Sequence, residues 1–527
     1  MLIGRAFSRC GDSHASARNK GAAAMIFATP LWPIDNLSLF MLLIIAALFP
    51  LVFIYSLAYV RRNYFRYYFV LLLTLIGMVG TVLAKDLLSF YVFLEIMTVG
   101  VYFLIIDNTK KESFPAGYKY ILMMFAAGIM ILLASLLLYN LAGSFELAVI
   151  AQIAPTFPQQ TLMLISALFI IGCLIEIGAV PFHIWLPDAH PVAPSPISAL
   201  LSGLAIKVGA YGIIRMVFTL QILAPTLVVI GVISMLFGVV LALRQTNVKR
   251  LLAYHSISQM GYILLGIGAG TGIGIGGALF HILNHAIFKM LLFLCMGAVI
   301  YATRERDIKR LGGLGKRMPL TTIAFAFGAL AISGIPPFNG FASKALLSAA
   351  VSDNFWLKIT LILTAAGTLA SFYKLFKHVF LGELPDKLRQ TREVPLLMSL
   401  PMLIFAVACL GVGLFCVQVL SGIIAPAIGS AQTFNFWDLG LLGDTLIIIA
   451  LGSLIYAAGV KTGFFSAKER SFPAFLSLDR ICCGAAAILE KGCFALRAIH
   501  LRNINVHLFW MIMVLVALLV ILNFQLI

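Results

Sequence analysis

Five charged side chains and two histidines lie inside long apolar segments of the chain: Glu95, Glu176, Lys207, Lys289, Lys344, His281 and His285. A charge at the centre of a membrane-spanning helix costs about 3 kcal/mol on insertion scales. Such groups usually face a bundle interior or a wet cavity, pair with one another, and mark ion or proton paths. A purely structural role is the alternative for any one of them. It is a weaker explanation for seven residues spread over five segments.

Three of these residues follow one another at intervals of four: His281, His285 and Lys289. A step of four residues turns an α-helix by only about 40° from the starting direction, so the three side chains form a stripe on one face. A metal site at the two histidines is the alternative. It is disfavoured because no third ligand follows at a suitable spacing.

Two of the segments are interrupted by helix-breaking sequence. GAVPFHIWLPDAHPVAPSPISAL (178–200) follows Glu176, and AISGIPPFNGFASK (331–344) ends on Lys344. Proline inside a spanning helix frees backbone groups that protein or water must satisfy. Broken helices beside buried charges, in two halves of a chain, are typical of an inverted-repeat transporter. We expect two repeats of five helices each, at 65–218 and 225–380.

The composition indicates what surrounds these residues. The chain is 62% hydrophobic and 11% charged, whereas soluble domains carry about 25% charged residues. A spanning helix needs about 20 mainly apolar residues. The sequence therefore predicts an all-α polytopic membrane protein with about fourteen spans: 37–60, 65–84, 86–106, 116–141, 161–182, 196–218, 225–243, 251–270, 274–301, 319–350, 356–380, 394–422, 436–460 and 505–526.

The distribution of the basic residues that give the net charge of +17 also fits a chain that crosses a membrane repeatedly. Basic residues are concentrated in alternate loops, and the intervening loops between spans contain only Lys85. Because cytoplasmic loops are enriched in lysine and arginine, the basic loops are expected on the cytoplasmic side of the inner membrane. Nucleic acid is not an expected partner. The basic residues are Arg61, Arg62, Arg66, Lys110, Lys111, Lys119, Arg244, Lys249, Arg250, those from Arg304 to Arg317, Lys387, Arg389, Arg392 and those from Lys461 to Arg502.

The remaining segments flank the two repeats. Residues 1–36 form an N-terminal extension whose first 24 residues are rich in Arg and Ser and lack the apolar core of a signal peptide. We expect Met25 to be the true start; a transit-like segment or a disordered tail are the alternatives. Residues 37–64 hold the first span and its loop. Two accessory spans (394–460), a basic amphipathic segment (461–504) and a final span (505–527) follow the repeats.

The chain carries no recognisable redox centre. Its eight cysteines form no CxxC pair of the kind that binds zinc or an iron–sulfur cluster. No glycine-rich nucleotide motif is present either. We therefore expect no cofactor and no metal in this chain.

Four stretches carry a resemblance to a known family. They are WLPDAHPVAPSPISALLSGLAIKVGAYGIIR (185–215), NVKRLLAYHSISQMGYILLGIG (247–268), HILNHAIFKMLLFLCMGAVI (281–300) and LGGLGKRMPLTTIAFAFGALAISGIPPFNGFASK (311–344). They resemble the antiporter-like membrane subunits shared by respiratory complex I, Mrp-type Na⁺/H⁺ antiporters and energy-converting hydrogenases. The similarity extends from about residue 35 to 460.

The resemblance implies a role for each residue. Glu95 matches the acid of the family's Glu–Lys pair, and Lys207 matches its connecting lysine. The stripe of His281, His285 and Lys289 matches the central relay, and Lys344 matches the terminal lysine. Together they imply a polar axis at mid-membrane depth, along which protons move as each charge acts on its neighbour.

Two features depart from the family pattern. Two helices that usually precede 37–60 are missing, and Glu176 stands where the family has the lysine that pairs with Glu95. Two close carboxylates cannot both ionise cheaply. We expect a proton shared between Glu95 and Glu176. The alternatives are a bound sodium ion, a neutral structural Glu176, or a Lys207 that turns toward the pair.

These observations predict a proton-translocating, antiporter-like subunit of a larger membrane complex, with Na⁺ as an alternative ion. Its expected partners are other membrane subunits and a peripheral redox arm. The alternative is a membrane anchor that does not pump and that docks a soluble enzyme. Retention of the polar axis favours pumping.

Overall fold

The computed structural model describes residues 35–106, 111–222, 224–430 and 433–466. Within these ranges the regular structure is helical, with no strand. The helices are α1 (Asn36–Tyr59), α2 (Tyr64–Leu83), α3 (Leu87–Ile105), α4 (Ser113–Ala142), α5 (Leu147–Ile153), α6 (Gln159–Ile177), α7 (Leu186–Val192), α8 (Ser195–Leu200), α9 (Ile206–Leu220), α10 (Thr226–Arg244), α11 (Val248–Gly268), α12 (Gly272–Thr303), α13 (Pro319–Ser333), α14 (Asn339–Ala350), α15 (Phe355–Phe380), α16 (Leu396–Leu414), α17 (Cys416–Val419), α18 (Ala425–Ile428) and α19 (Leu439–Lys461).

Eleven helical segments within the described ranges are long and apolar enough to cross a membrane. This confirms the predicted class, an all-helical polytopic membrane protein, but it does not establish the count of fourteen. The predicted spans up to residue 460 all fall on helices. The N-terminal extension, most of the amphipathic segment and the final span lie outside the described residues.

Both predicted helix breaks are present, and they share one geometry. α6 ends at Gly178 with φ +67°, and α13 ends at Gly334 with φ +79°. In each case the N–H groups of the glycine and of the next residue donate to carbonyls in the last helical turn. This is the Schellman arrangement, which favours glycine because other residues resist positive φ. Each break ends its helix beside a residue of the predicted site.

A second repeated feature indicates that the two repeats are inverted. Asp86 forms an isolated antiparallel bridge with Glu146, and Asn247 forms the matching bridge with Asp307. Each bridge joins the residue before the second helix of a repeat to the loop after the third helix. α3 starts beside the first bridge, and its far end lines a cavity together with Lys249, two residues beyond Asn247. The equivalent bridges therefore lie at opposite ends of the bundle.

The basic loops gather at one end of the bundle, which we call the basic end. There the guanidinium of Arg61 donates to the hydroxyl of Tyr301, linking the ends of α1 and α12. The ammonium of Lys249 donates to the carbonyl of Ala193 at 2.7 Å. The basic residues Arg61, Arg62, Arg66, Lys249 and Arg306, which come from three different loops, thus lie at one end of the bundle.

At the end of the bundle opposite the basic end, an ion pair links the start of α1 to α9. Arg215 of α9 binds the carboxylate of Asp35, which also caps α1 by accepting from the N–H of Ser38 at 2.8 Å. Burial opposes ionisation of Asp35, but the hydrogen bond and charge of Arg215 hold the pKa of Asp35 below its usual range. The pair therefore contributes stability at neutral pH and loses it as the pH falls through that lowered pKa.

Burial distinguishes the central helices from the peripheral ones. The most apolar stretch of α8–α9 is buried throughout, and that of α12 is 83% buried, whereas that of α19 is only 11% buried. The buried helices nevertheless carry several charged and polar side chains. Because buried polar groups need partners, these helices must supply hydrogen bonds from within the bundle.

Candidate functional site

Each of the three lysines of the predicted axis donates to a backbone carbonyl. The ammonium of Lys207 bonds the carbonyl of Ser202. Lys289 Nζ lies 2.5 Å from the carbonyl oxygen of Leu252, and Lys344 Nζ lies 2.7 Å from that of Ile332. Lys207 and Lys289 are fully buried, and none of the three ammonium groups forms an ion pair with a described carboxylate.

A hydrogen-bonded path joins Lys207 to Lys289. A single π-helical turn between α8 and α9 presents Ser202, whose carbonyl accepts from Lys207. The hydroxyl of Ser202 lies 2.7 Å from the hydroxyl of Ser256 on α11. Ser256 in turn donates at 3.2 Å to the carbonyl of Leu252, the same oxygen that accepts from Lys289. Three buried helices are thus linked through two serines.

The histidine stripe lies on α12, on the same face as Lys289. The rings of His281 and His285 lie 6.1 Å apart and nearly parallel. His281 Nδ1 lies 2.9 Å from Ser343 Oγ, and its Nε2 lies 3.1 Å from Gln259 Oε1. Both ring nitrogens of His285 are buried and have no hydrogen-bond partner among the described residues. No described neighbour therefore fixes the proton of the His285 ring at either nitrogen.

Tyr262 connects the stripe to Lys344. Its ring lies 5.4 Å from the His281 ring, and Lys344 Nζ lies 5.1 Å from its centroid. At Gly334 an added Cβ would come within 2.8 Å of Lys344 Cδ. The glycine of the second helix break therefore leaves room for the terminal lysine as well as adopting positive φ. We call Lys207, His281, His285, Lys289 and Lys344 the cationic axis.

A cavity of about 50 Å³ adjoins the end of the cationic axis at Lys344. This volume has room for about three waters. Asp444 of α19 lines the cavity and pairs with Lys358 at 3.2 Å. Sequence reasoning missed Asp444, although an acid inside an apolar span is the signal that singled out Glu95.

The acid pair, Glu95 and Glu176, lies in the first repeat. Glu176 is 4% exposed, Glu95 is half-buried, and the two carboxylates are close enough for their charges to interact. Gly128 allows the Glu95 carboxylate to rest on α4, because an added Cβ would lie 2.0 Å from its Oε1. Neither carboxylate forms a hydrogen bond or an ion pair with a described residue.

Tyr120 of α4 accompanies the acid pair. Its phenol is buried and lies close enough to both glutamates to interact with their charges. Its ring packs edge-on against Trp185 in the first helix break at 5.2 Å. The sequence analysis did not select Tyr120, because a tyrosine in an apolar helix gives no signal of its own.

Lys207 belongs to the cationic axis and not to the acid pair. Its ammonium bonds Ser202, and the charge with which it interacts is that of Lys289. No ion pair joins Lys207 to Glu95 or Glu176. The structure therefore divides the predicted residues into two groups.

Two histidines beside the axis were also missed. His255 Nε2 lies 2.8 Å from Ser371 Oγ, and the ring of His190 stacks on Phe293 at 4.6 Å. Lys289 Nζ lies 5.3 Å from the centroid of the same phenylalanine. Within the described residues no group of three histidine, cysteine or acidic side chains could hold a metal.

Two inverted repeats with broken helices around a buried axis of ionisable groups define a class, the antiporter-like membrane subunits. The model of one family, described as "NADH:quinone oxidoreductase/Mrp antiporter, TM", matches residues 84–369. The chain belongs to this family, which confirms the resemblance noted in its sequence.

Curated relatives include proteins of three kinds. The chain is 34% identical to hydrogenase-4 component B of Escherichia coli over 74% of its own length and 63% of that protein. It is 32% identical to NADH-quinone oxidoreductase subunit N of Desulforudis audaxviator, covering 70% of the chain and 77% of the relative. It is 34% identical to a Na(+)/H(+) antiporter subunit of Alkalihalophilus pseudofirmus, covering 61% of the chain and 67% of the relative.

Solved structures with the same fold come from two complexes. A chain of the archaeal membrane-bound sulfane sulfur reductase aligns with a TM-score of 0.75 and 27% identity, covering 92% of this chain and 89% of that one. A chain of the Mrp complex of Dietzia sp. DQ12-45-1b aligns with a TM-score of 0.69 and 25% identity, covering 82% of this chain and 92% of that one.

Proposed function

We propose that the chain is a proton-translocating subunit of a multisubunit membrane complex. The observation that carries this proposal is a set of buried hydrogen bonds that brings Lys207 and Lys289 close together. Lys207 bonds the carbonyl of Ser202, whose hydroxyl meets that of Ser256, and Ser256 shares the carbonyl of Leu252 with Lys289. Buried ionisable groups in membrane proteins are expensive and are kept for a purpose. A proton that arrives at one lysine changes the energy of charging the next, so the charge moves stepwise.

The cationic axis ends at the cavity beside Lys344, and we propose this cavity as the exit. Water in the cavity would connect Lys344 to Asp444 at the end opposite the basic loops. The acid pair is the proposed loading point, with one proton shared between Glu95 and Glu176. Sodium bound by the two carboxylates is the alternative.

The proposed setting is a complex of several membrane subunits with a peripheral redox arm. The names of the relatives, a hydrogenase component, an oxidoreductase subunit and an antiporter subunit, support such an assembly. We propose that the basic end faces the cytoplasm, in accordance with the charge rule.

The second candidate function is a membrane anchor that docks a soluble enzyme without moving ions. An anchor needs the bundle but not the buried axis. The two functions therefore differ in what happens when one axis residue loses its ionisable group.

Lys289→Ala provides that test in the assembled complex, reconstituted into liposomes that contain a pH-sensitive dye. Alanine is compatible with the helix and removes the charge, its bond to Leu252 and its contact with the ring of Phe293. We expect the proton flux driven by an imposed membrane potential to fall by roughly a hundredfold or more.

Lys374→Ala is the matched control. Lys374 is also a buried lysine that donates to backbone carbonyls, at 2.7 and 2.9 Å, but it lies outside the path. The Lys374→Ala variant should show the same proton flux per assembled complex as wild type. Normal flux in Lys289→Ala would reject the relay and favour the anchor.

A further inference from the structure

A cavity of about 290 Å³ opens at the basic end, apart from the cationic axis. It lies between the ends of α1, α2, α3 and α12. Its described lining residues include five basic side chains and no acidic one. The basic residues are Arg61, Arg62, Arg66, Lys249 and Arg306.

The guanidinium groups of Arg62 and Arg306 form no side-chain hydrogen bond or ion pair with a described residue. The carboxylate of Glu305, next to Arg306 in sequence, is engaged elsewhere. It accepts from the N–H groups of Asp307 at 3.0 Å and Arg306 at 2.8 Å. These bonds hold the pKa of Glu305 below its usual range. Among the described residues, none therefore compensates the positive charge of Arg62 and Arg306.

Apart from the polar side chains of Tyr59, Asn63 and Tyr67, the other walls of the cavity are apolar. They are formed by side chains near the ends of membrane-spanning helices: Val70, Phe103, Leu104 and Ile300. The guanidinium of Arg66 reaches the carbonyl of Phe103 at 3.5 Å and so lies where the charged and apolar walls meet. An occupant must carry negative charge at one end and hydrocarbon at the other.

We propose that this cavity binds an anionic phospholipid. Its phosphate lies against Arg62 and Arg306, and its acyl chains follow the apolar wall into the bilayer. Arginine guanidinium groups match phosphate geometry in paired hydrogen bonds. Basic pockets between spanning helices are suited to anionic headgroups. The role is independent of proton transfer, because none of the lining residues belongs to the cationic axis or the acid pair.

The test uses the assembled complex, stripped of lipid in detergent. Phosphatidylglycerol, phosphatidylcholine or inorganic phosphate is added, and bound lipid is counted by native mass spectrometry while thermal unfolding is followed. We expect wild type to retain phosphatidylglycerol, and to be stabilised by it, in preference to the other two. The double variant Arg62→Gln with Arg306→Gln should bind phosphatidylglycerol about tenfold more weakly or worse.

Two control variants keep the test decisive. Arg317→Gln with Arg392→Gln removes the same charge from exposed positions at the basic end, outside the cavity, and should bind lipid like wild type. Arg62→Lys with Arg306→Lys keeps the charge but loses the paired hydrogen bonds, so its binding should fall between those of wild type and the glutamine variant. This second variant covers the case in which the glutamine variant fails to assemble.

Three results would overturn the proposal. The first is wild type without preference for phosphatidylglycerol over phosphatidylcholine. The second is equal stabilisation by inorganic phosphate, which would assign the cavity to a free anion. The third is unchanged lipid binding in the glutamine variant together with loss of a neighbouring subunit, which would assign it to an acidic protein segment.

Discussion

The acid pair and the cationic axis differ in how their buried charges are satisfied. Every lysine of the axis donates to a backbone carbonyl: Lys207 to Ser202, Lys289 to Leu252 and Lys344 to Ile332. Neither Glu95 nor Glu176 receives a hydrogen bond from a described residue.

The difference teaches that the two regions are prepared for different tasks. The axis is preorganised, because each of its lysines already donates to a backbone carbonyl without a counter-ion. The acid pair has no donor, and burying two unpaired carboxylates is far too costly unless a proton or a cation reduces their charge. This contrast supports the proposal that the acid pair binds the ion before the axis passes it on.

Among the changes that test this comparison, the largest expected effect comes from changing the acid pair itself. Glu176→Gln removes a group that can take up and release a proton while keeping its shape. If the pair shares a proton, we expect proton flux in proteoliposomes to fall by about a hundredfold. Glu176→Lys recreates the Glu–Lys pair that the family resemblance implies, and it should keep or improve the flux.

Measuring both variants with and without sodium separates the alternatives. A sodium site predicts that Glu176→Lys loses sodium dependence and stops transport. A neutral, structural Glu176 predicts that Glu176→Gln changes nothing. Unchanged flux in Glu176→Gln, combined with failure of Glu176→Lys to assemble, would reject the hypothesis of a shared proton.

A smaller effect is expected at the far end of the axis. Gly334→Ala places a Cβ 2.8 Å from Lys344 Cδ and displaces the ammonium from the carbonyl of Ile332. Small displacements of a transferring group are costly, so we expect about a tenfold loss of flux. Positive φ adds a stability cost of roughly 1 kcal/mol.

Gly382→Ala is the matched control for this variant. Its φ is +86°, and an added Cβ would meet no atom within 4 Å. Thermal unfolding should therefore show a similar loss in both variants, while flux should fall only in Gly334→Ala. An equal loss of flux in both would mean that strain, and not the position of Lys344, is responsible.

The smallest effect is expected beside the acid pair. Tyr120→Phe removes a hydroxyl that interacts with both carboxylates and leaves its ring packed on Trp185. Flux should fall a few-fold, with its pH dependence displaced, because the pair loses a polar neighbour. Tyr118→Phe, on the exposed face of the same helix, should change neither property. An unaltered pH profile in Tyr120→Phe would show that the phenol is only a packing residue.

The sequence predicted the fold well because its signals are local. A membrane imposes long apolar helices, so hydropathy alone predicted where helices lie up to residue 460. The glycines at 178 and 334 end their helices for conformational reasons that any neighbourhood would impose. The inverted bridges are different, since they join residues far apart in the chain.

The sequence also supplied the charged members of the candidate site, because an ionisable residue in an apolar span is conspicuous wherever it occurs. It could not supply the uncharged links. Ser202, Ser256 and Gln259 give no signal in the sequence. Only the packing of the π-helical turn after α8 against α11, and of α11 against α12, gives them their hydrogen-bond partners.

What the sequence determined by itself is an all-helical membrane protein with two broken repeats and a set of buried ionisable residues. What only the tertiary structure decided is how those residues divide. Lys207 joined the axis because the π-helical turn before it presents the Ser202 carbonyl to its ammonium. Glu176 joined Glu95 because α6 and α4 pack closely through small residues. The physical reason is that the sequence alone identifies a charged residue in an apolar segment, whereas the packing of the helices determines which residues it contacts.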